Sequence, residues 1–397
     1  MTDVILILNA GSSSIKFALY PVSKTGSPPL ITGKIAGIKR APVFRALGPT
    51  GGDLPLGDLA VLDVEEDQTA LTRRLLCWLE DHTQGDSIIA VGHRVVHGGR
   101  QFSGPALLDE NVIGELEKLQ ALAPLHQPYN LAAIALVSVL MPKIPQIACF
   151  DTSFHRTQTR LAQLFPLPRH FADDGVLRYG FHGLSYDYIA GVLPDHLGDK
   201  SEGRVIVAHL GNGASICALK NRRSVATSMG FTALDGLMMG SRPGSLDVGV
   251  VLHLIQDQGM TPAEVQDLLY TNSGLRGVSG ISNNMQVLLE TPHPHAQEAI
   301  DLFCYRAAAE LSALLPALGG LDAIIFTAGI GEKAPIVRKQ ICGHLTWLGI
   351  CLEESANATN AAVISTPDST VDVLVIPTNE EEVIAAATCR LVAGSDA

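Results

Sequence analysis

Four side chains that could contact a ligand lie beside glycines or at the end of an apolar run. Arg94 lies in GHRVVHGG, His182 in YGFHG and Arg242 in GLMMGSRPG, and Asp151 follows the apolar run QIACF. An arginine fork can bind a carboxylate or a phosphate through two parallel hydrogen bonds. An aspartate after a buried strand lies at the carboxyl edge of a sheet, where α/β proteins bind ligands. The two arginines and the histidine could therefore bind a small anion and neutralise its charge, and the aspartate could orient one of these groups or hold a metal.

Two of the four residues also have a purely structural interpretation. Arg94 could form a surface salt bridge, and Asp151 could cap the N-terminus of a helix. His182 lies between two glycines and belongs to no helical face, which favours an exposed, ligand-facing side chain. We expect the guanidinium group of Arg242 to be uncovered, because its loop is rich in glycine. The local sequence leaves the alternatives for Arg94 and Asp151 open.

Two glycine-rich turns between apolar strands would position such residues. The first hairpin runs from VILIL at residues 4–8 through NAGSSS to a returning strand at 15–20, and the second repeats this pattern over 204–220. A turn without bulky side chains lets backbone N–H groups converge on a phosphate. One hairpin alone is typical of an ordinary polar turn, but the pair predicts a duplicated domain whose phosphate loops face each other across a cleft. Positions that recur at a constant offset of 200 are Gly11, Ala18 and Leu19 with Gly211, Ala218 and Leu219.

Further polar residues accompany these turns. Asn9 could offer a carbonyl oxygen to a metal, and Lys16 a point charge to a phosphate. Residues 329–334 fit the dinucleotide pattern G-x-G-x-x-A after a strand, although a nucleotide phosphate at the start of a helix explains these glycines equally well. Three acids at 380–382 suit the dipole of a helix that begins there. One of them could equally hold Mg²⁺ through water.

Composition limits the number of domains and the class of protein. A chain of 397 residues is too long for one typical core, so two domains are expected. Hydrophobic residues at 47% and charged residues at 17%, with strands and helices in alternation, are typical of a soluble α/β protein. The formal net charge of −12 argues against nucleic acid or an anionic membrane as the main partner. No apolar run reaches membrane-spanning length and no signal-peptide pattern is present, so a cytoplasmic location is expected.

The cysteines and a histidine pair do not indicate a metal centre. The seven cysteines are scattered and contain no Cys-x-x-Cys pair, which predicts buried, reduced thiols rather than disulfides or zinc ligands. His93 and His97 stand four residues apart, but glycines and valines surround them and no His-Glu-x-x-His motif is present. A zinc site is therefore not favoured.

Eight segments, taken together, resemble the acetokinase family of the sugar-kinase, Hsp70 and actin superfamily. In chain order they are LNAGSSSIKF, GHRVVHGG, CFDTSFH, YGFHG, HLGNGAS, TSMGFTALDGLMMGSRPG, FTAGIGE and TNEE. The resemblance covers nearly the whole chain. It implies a duplicated ribonuclease H-like (actin-like ATPase) α/β fold with two domains and a central nucleotide cleft. Residues 1–152 would form the carboxylate and phosphate side, residues 153–380 would bind the nucleotide, and a helix at about 381–397 would pack back onto the first domain.

The resemblance also implies an activity. A member of this family would phosphorylate acetate with ATP, giving acetyl phosphate and ADP by a reversible, in-line transfer assisted by Mg²⁺, with Mn²⁺ as an alternative. It would form a homodimer. Asn9 and Glu380 would serve the metal, and Lys16 would reach the nucleotide phosphates.

The same resemblance implies roles for further residues. Asp151, His182 and Arg242 would be catalytic. The substrate would be bound by Arg94, Val96, Leu125 and Phe181. The remaining nucleotide-binding residues would be His209, Leu210, Gly211, Asn212, Gly213, Asn284, Met285, Gln286, Gly329, Ile330, Gly331, Glu332 and Lys333.

A carboxylate acceptor is already ionised at neutral pH, so transfer to it needs no strong general base. It needs positioning, and neutralisation of the charge on the transferring group. We therefore expect Asp151 to orient a group or a metal-bound water rather than to remove a proton.

The chain departs from the family pattern at several positions. Asn284-Met285-Gln286 replaces a usual Asp-x-Arg, Ala233 a usual Pro beside the acyl group, and Lys333 a usual Asn. Leu184 and Tyr186 stand where the family has Thr and His. These changes leave two alternatives open: a propionate or butyrate kinase of the same family, and a catalytically weakened nucleotide-binding regulatory protein.

Overall fold

The computed structural model describes residues 2–22, 27–83 and 85–395, which divide into two compact units. The first unit contains Met1–Phe154 and Asn379–Ala397, and the second contains His155–Thr378. The end of the predicted last helix, residues 396–397, lies outside the described residues. The functional division of the chain at 152/153 stays a prediction.

The first unit is built on a seven-stranded sheet in the order β4-β3-β2-β1-β5-β7-β6. Its strands are β1 (Asp3–Ala10), β2 (Ser14–Pro21), β3 (Ile31–Ala36), β4 (Val43–Leu47), β5 (Ser87–Val95), β6 (Ala106–Leu107) and β7 (Gln146–Phe150). β1 to β4 form an antiparallel meander, whereas β5 runs parallel to β1 and β7 parallel to β5. The predicted first hairpin is therefore confirmed.

The second unit is built on a five-stranded sheet in the order β10-β9-β8-β11-β12. Its strands are β8 (Arg204–Leu210), β9 (Ala214–Lys220), β10 (Arg223–Thr227), β11 (Ala323–Thr327) and β12 (Asp372–Val375). Three antiparallel strands are followed by two parallel ones, which is the pattern of β3-β2-β1-β5-β7 in the first unit. The predicted second hairpin and the duplication of the fold are confirmed.

Helices follow the strands along the chain. The first five are α1 (Gln68–His82), α2 (Glu110–Glu117), α3 (Gln127–Leu140), α4 (Arg160–Gln163) and α5 (Arg169–Asp173). The next five are α6 (Gly183–Leu197), α7 (Val248–Gln256), α8 (Pro262–Thr271), α9 (Gly274–Ser279) and α10 (Met285–Glu290). The last five are α11 (Pro294–Leu318), α12 (Ala328–Lys333), α13 (Pro335–Gly343), α14 (Glu354–Ala358) and α15 (Glu380–Ser395). Short 3₁₀ turns occur at Gly57–Ala60, Gln120–Leu122, Ser153–Thr157, Gly198–Glu202 and Thr346–Leu348.

Successive side chains of β1 point to opposite faces of the sheet, and both faces are apolar. Val4, Leu6 and Leu8 join a buried cluster that includes Leu75 and Trp78 of α1. The other face packs against α15, which contacts β5 and β1. The sheet is thus packed on one face by α1 and on the other by α15. The predicted site residues of this unit lie at its carboxyl edge.

In the second unit, the long helix α11 covers the sheet. Phe303, Ala307 and Leu311 are buried on the face of α11, and the helix contacts β9 and β10. Helix α11 therefore contributes to the core of this unit. A threonine three residues before a glutamate, with proline at the first helical position, predicts a capping box at 261–264, and Thr261 and Glu264 do exchange hydrogen bonds at the start of α8.

All seven cysteines are free thiols, but only part of the prediction holds. Cys77 and Cys351 are exposed, whereas Cys149, Cys217, Cys304 and Cys342 are buried. Among the helices in the described part of the chain, none is both long and apolar enough to cross a membrane.

Candidate active site

Arg94 and Asp151 form a buried ion pair at the carboxyl edge of the first sheet. Arg94 lies near the end of β5 and Asp151 directly follows β7, its parallel neighbour. The Arg94 Nε donates to Asp151 Oδ1 at 2.9 Å, and Nη2 donates to Oδ2 at 2.6 Å. The exposed fraction of the side chain is 19% for Arg94 and 2% for Asp151. The surface salt bridge considered for Arg94 is therefore wrong, and Asp151 orients a guanidinium group instead of serving only as a helix cap.

Two more of the predicted residues approach the same guanidinium group. Arg94 Nη1 lies 3.4 Å from Asn9 Oδ1, to which it donates, and 3.8 Å from Glu380 Oε2. Burial alone would lower the pKa of Arg94, but the negative charges of Asp151 and Glu380 raise it above its ordinary value. Arg94 thus keeps its charge, with three oxygen-bearing side chains around it.

The oxygens around Arg94 are of the kind that Mg²⁺ binds. Asn9, Asp151 and Glu380 offer one amide and two carboxylate groups, and Mg²⁺ prefers hard oxygen ligands. Over the described residues, no group of three or more His, Cys, Asp and Glu side chains forms a cage for a metal ion. This donor set fits Mg²⁺, because the ion usually takes one or two carboxylates and keeps several waters or substrate phosphates.

Buried amide side chains of α3 hold the adjoining loops, and the sequence analysis missed them. Asn130 donates to the Ala10 carbonyl at 2.7 Å and accepts from the Val96 N–H at 3.0 Å. Gln127 accepts from the His97 N–H at 3.1 Å. These bonds tie the ends of β1 and β5 to one helix. The available signal was the presence of two amide residues at the start of an otherwise apolar helix.

The predicted acyl-pocket residues are distributed over both units. Val96 and Leu125 belong to the first unit, where Val96 is buried and Leu125 half-buried. Phe181 belongs to the second unit and is buried, and its carbonyl is bonded to the His155 Nε2 at 2.9 Å. Their contact with an acyl group stays a prediction.

His182 begins helix α6 of the second unit in a left-handed conformation, with φ at 58°. Its Nδ1 lies 2.8 Å from Ser215 Oγ, and the hydroxyl of Tyr186 is bonded to the same Ser215 oxygen. The imidazole stacks on the ring of His209, with 4.2 Å between the ring centroids. His182 is half-buried rather than exposed as predicted, because these contacts cover it.

Arg242 and His182 both reach Gly213 in the second hairpin. A Cβ atom at Gly213 would lie 2.8 Å from Arg242 Nη2 and 3.2 Å from His182 Nε2. Arg242 Nη1 donates to the Ala233 carbonyl at 2.7 Å. Burial lowers the pKa of Arg242 to about 10, so the group stays charged at neutral pH. Arg242 is half-buried, and the expectation that its fork is uncovered is wrong.

His209, at the end of β8, lies in a chain of polar contacts within the second unit. Its Nδ1 is 2.8 Å from Ser185 Oγ, and Ser185 donates to Thr378 Oγ1 at 2.9 Å. The Thr378 N–H donates to Glu332 Oε1 at 3.2 Å. The predicted nucleotide residues His209 and Glu332 are therefore connected through Ser185 and Thr378.

The segment after β11 is helical. Helix α12 starts at Ala328, whose φ is 64°, so residues 329–333 lie on a helix and not in the glycine turn expected from the sequence. Arg338 is fully buried and donates to the Gly331 carbonyl at 2.8 Å and to the Glu332 carbonyl at 3.0 Å. The sequence analysis missed this residue. Its side chain satisfies carbonyl groups at the end of α12.

Three predicted nucleotide residues make contacts that serve helix α10. Asn284 Oδ1 accepts from the Gln286 N–H at 2.9 Å and so caps the helix. Met285 is buried, and Gln286 donates to Glu290 Oε1 at 3.1 Å. Their contact with a nucleotide stays a prediction.

The other predicted phosphate-loop residues lie on the two hairpins or on α12. Lys16 is exposed on β2 opposite Asn9, and Leu210 is buried at the end of β8. The Asn212 carbonyl accepts from the Gly240 N–H at 2.9 Å, which ties the second hairpin to the Arg242 loop. The Gly211 N–H donates to the Gly213 carbonyl at 3.1 Å. On α12, Gly329 and Lys333 are exposed, Ile330 is half-buried and Gly331 is buried.

Known proteins resemble this chain over nearly its whole length. The model of the acetokinase family matches residues 4–386. Acetate kinase of Rhodopseudomonas palustris (strain ATCC BAA-98 / CGA009) is 51% identical over 399 residues, covering 99% of this chain and 100% of that protein. Acetate kinase of Rhizobium meliloti is 45% identical over 397 residues, with 100% of both chains covered.

Solved structures give the same result. A propionate kinase from Francisella tularensis superposes with a TM-score of 0.90 at 33% identity, covering 98% of this chain and 99% of that one. Acetate kinase of Porphyromonas gingivalis has a TM-score of 0.84 at 34% identity, with 98% and 100% covered. The full-length match, the duplicated fold and the arginine, histidine and carboxylate groups lead to one assignment. The chain belongs to the acetokinase family.

Proposed function

We propose that this protein transfers the γ-phosphoryl group of ATP to acetate, giving acetyl phosphate and ADP in a reversible reaction. The observation that carries the proposal is the Arg94–Asp151 pair with Asn9 and Glu380 beside it, in a chain matched over residues 4–386 by the acetokinase family. This grouping combines a fixed cation for a carboxylate with oxygens suited to a metal–nucleotide complex.

Arg94 is proposed to bind the substrate carboxylate through Nη1. Its Nε and Nη2 donate to Asp151, so the guanidinium plane is held in one orientation. An acetate ion would then meet a preset donor, and positioning of this kind lowers the entropic part of the barrier. Val96 and Leu125 of the same unit are proposed to contact the methyl group.

Asp151 is proposed to act by orientation. Acetate has no proton to lose at neutral pH, and both oxygens of Asp151 accept from Arg94. Mg²⁺, or Mn²⁺, would neutralise charge on the β- and γ-phosphates of ATP when bound. Asn9, Glu380 and Asp151 are proposed to hold it, in part through water.

His182 and Arg242 are proposed to stabilise the transferring phosphoryl group. Both side chains reach Gly213, in the hairpin that would cradle nucleotide phosphates. Preorganised donors contribute most where they need not reorganise during reaction. The contacts of His182 with Ser215 and of Arg242 with the Ala233 carbonyl supply that preorganisation.

A longer acid is the second candidate substrate. One solved relative with a TM-score of 0.90 is described as a propionate kinase. Ala233, whose carbonyl accepts from Arg242, stands where the family usually has proline. A difference of one methylene in an apolar pocket is worth only about 1–3 kcal/mol, so propionate and butyrate are tested together with acetate.

Several predictions rest on the family resemblance alone. The homodimer, the cytoplasmic location and the nucleotide contacts of residues 284–286 and 329–333 stay predictions. The regulatory alternative requires nucleotide binding without turnover.

The test is acyl-phosphate formation, trapped with hydroxylamine, from ATP, Mg²⁺ and each of the three acids. We expect product with acetate, and its loss in Arg242→Ala. Arg222→Ala is the matched control, because Arg222 is an exposed arginine paired with Glu202 outside the candidate site. A folded protein that binds ATP and forms no acyl phosphate from any acid would contradict the proposal and support the regulatory alternative.

A further inference from the structure

A row of cations crosses three strands of the first sheet. In the antiparallel register, Lys16 of β2 lies opposite Lys34 of β3, and Lys34 lies opposite Arg45 of β4. Directly opposed residues project from the same face of a sheet. The three positive side chains are therefore neighbours on one face, and all three residues are exposed.

This arrangement opposes folding unless another group compensates for it. Like charges directly opposite each other in a sheet are destabilising. The exposed Asp53 pairs with Arg45 at 3.1 Å, which offsets one of the three charges. The whole chain has a net charge of −12, so this row of cations is locally opposite in sign to the protein as a whole.

The cations border a cavity of about 390 Å³. Ala18, Thr32 and Leu47 lie on the same face of the sheet as the cations and form its floor, and Tyr20 and Pro29 complete its lining. Asn379 and Glu381, at the start of α15, also line the cavity, so its lining includes one carboxylate beside the three cations. The volume falls in the range of small-molecule sites, which are largely apolar with a few convergent polar groups.

We infer that this cavity is a second anion site that binds a small phosphomonoester with a compact apolar body. The phosphate would accept hydrogen bonds from Lys34 and Arg45, and from Lys16 where its length permits. The apolar body would cover Ala18 and Leu47. Charge-assisted bonds to phosphate are among the stronger ones in proteins, and a phosphate relieves the repulsion within the row.

The site goes beyond the proposed function. Lys34 and Arg45 have no part in the proposed phosphoryl transfer, and Lys16 is the residue that the two sites would share. A ligand here would therefore bind beside the residue proposed to contact the nucleotide phosphates. Binding is measured without turnover, so failure of this inference and failure of the kinase proposal can be told apart.

The test is calorimetric titration of the full chain with phenyl phosphate and, separately, with inorganic phosphate. The variant is Lys34→Met with Arg45→Met. The matched control is Lys143→Met with Arg169→Met, which removes the same charge from exposed positions outside the cavity. We expect phenyl phosphate to bind the unmodified chain more tightly than inorganic phosphate, because only the former covers the apolar floor.

In the double variant we expect phenyl phosphate to bind at least about tenfold more weakly, and in the control to bind unchanged. Acyl-phosphate formation without added probe should be the same in all three proteins. Equal affinity in the double variant and the unmodified chain would place the phosphate elsewhere and overturn the inference. Absence of phenyl phosphate binding to the unmodified chain would overturn it as well, and tighter binding of inorganic phosphate would overturn the apolar part.

Discussion

At the scale of single residues, the bidentate pair of Arg94 and Asp151 is the feature on which the site depends. Both partners are largely buried, and an exposed pair of the same chemistry exists in the same unit, between Arg45 and Asp53. Removing one partner of a buried pair leaves an uncompensated charge, whereas exposed pairs contribute little to stability. The two pairs allow a matched comparison.

Asp151→Asn should destabilise the first unit by about 3 kcal/mol and reduce the rate of acyl-phosphate formation, because Arg94 loses both its counter-charge and its orientation. Asp53→Asn should change the free energy of unfolding by less than about 1 kcal/mol and leave the rate unchanged. Denaturant unfolding and the hydroxylamine assay measure the two effects. Equal effects of the two substitutions would show that the buried pair has no special role.

Ser215 is a positioning residue that connects Tyr186 to His182. Burial raises the pKa of the Tyr186 hydroxyl well above its ordinary value, so the phenol keeps its proton at neutral pH. Ser215→Ala should lower kcat several-fold, with little change in KM, because His182 loses a fixed orientation.

A double-mutant cycle separates this role from a general structural one. In a His182→Ala background, Ser215→Ala should have no further effect on kcat if Ser215 acts through His182. Additive effects of the two substitutions on kcat would show that Ser215 does not act through His182.

At the scale of elements, apolar runs and glycine placement were sufficient to predict the two hairpins, but many of the shorter helices were not predicted. Five consecutive apolar residues before Asn9 and a glycine turn can form little else, and the Thr261-Pro262 signal begins α8 as expected. The sequence did not predict that residues 328–333 form a helix. Ala328 starts it with a φ of 64°, a conformation that is uncommon for a residue with a Cβ atom.

Buried polar contacts could not be predicted in the same way. Asn130 and Arg338 have no unusual sequence neighbours, and the motif that contains Ser215 does not indicate its role. The partners of all three side chains are distant in the chain. Their roles depend on which backbone groups tertiary packing leaves without a hydrogen bond, and one sequence does not contain that information. The sequence also predicted Arg94 and Asp151 as site residues, but it did not predict that they form an ion pair with each other.

The second hairpin provides a test at this scale. A Cβ atom at Gly213 would lie within 3.2 Å of both Arg242 and His182, whereas one at Gly191 in α6 would meet no atom within 4 Å. Gly213→Ala should therefore reduce kcat by at least about tenfold while the protein stays folded, because small displacements of catalytic groups have large effects on rate. Gly191→Ala should leave kcat unchanged and stabilise α6 by up to about 1 kcal/mol, because Gly191 occupies an exposed position in that helix. Unchanged kcat in Gly213→Ala would show that Arg242 and His182 do not act at this hairpin.

At the scale of the whole molecule, the duplication is visible both in the sequence and in the sheets. The offset of 200 between the glycine turns agrees with the sheets, because the five strands of the second sheet repeat the pattern of β3-β2-β1-β5-β7 in the seven-stranded first sheet. Each unit also contains buried neutral histidines. Burial lowers the pKa of His93 and His97 in the first unit, and of His155 in the second, to about 4 in each case.

These histidines predict a loss of stability in mild acid. In the unfolded chain they take up protons near their ordinary pKa of about 6.5, whereas in the folded chain they stay neutral down to about 4. The unfolded state thus binds more protons between these values. The free energy of unfolding is highest above about pH 6.5 and falls as pH decreases, by about 1 kcal/mol per pH unit for each histidine.

Denaturant unfolding between pH 7 and pH 4 measures this slope. His93→Gln should flatten it by roughly one histidine's share, and His196→Gln, at an exposed position, should leave it unchanged. A slope that is the same in His93→Gln and the unmodified protein would contradict the assignment of this acid sensitivity to buried imidazoles.

In the proposed reaction, a carboxylate oxygen of acetate accepts the phosphoryl group of ATP. The most direct measurement is ³¹P NMR of the products formed from ATP, Mg²⁺ and acetate labelled with ¹⁸O in both carboxylate positions. We predict an acetyl phosphate signal with the isotope shift of a bridging ¹⁸O, in equal amount to ADP. ADP with unlabelled inorganic phosphate, or ATP left intact by a folded protein, would contradict the claim.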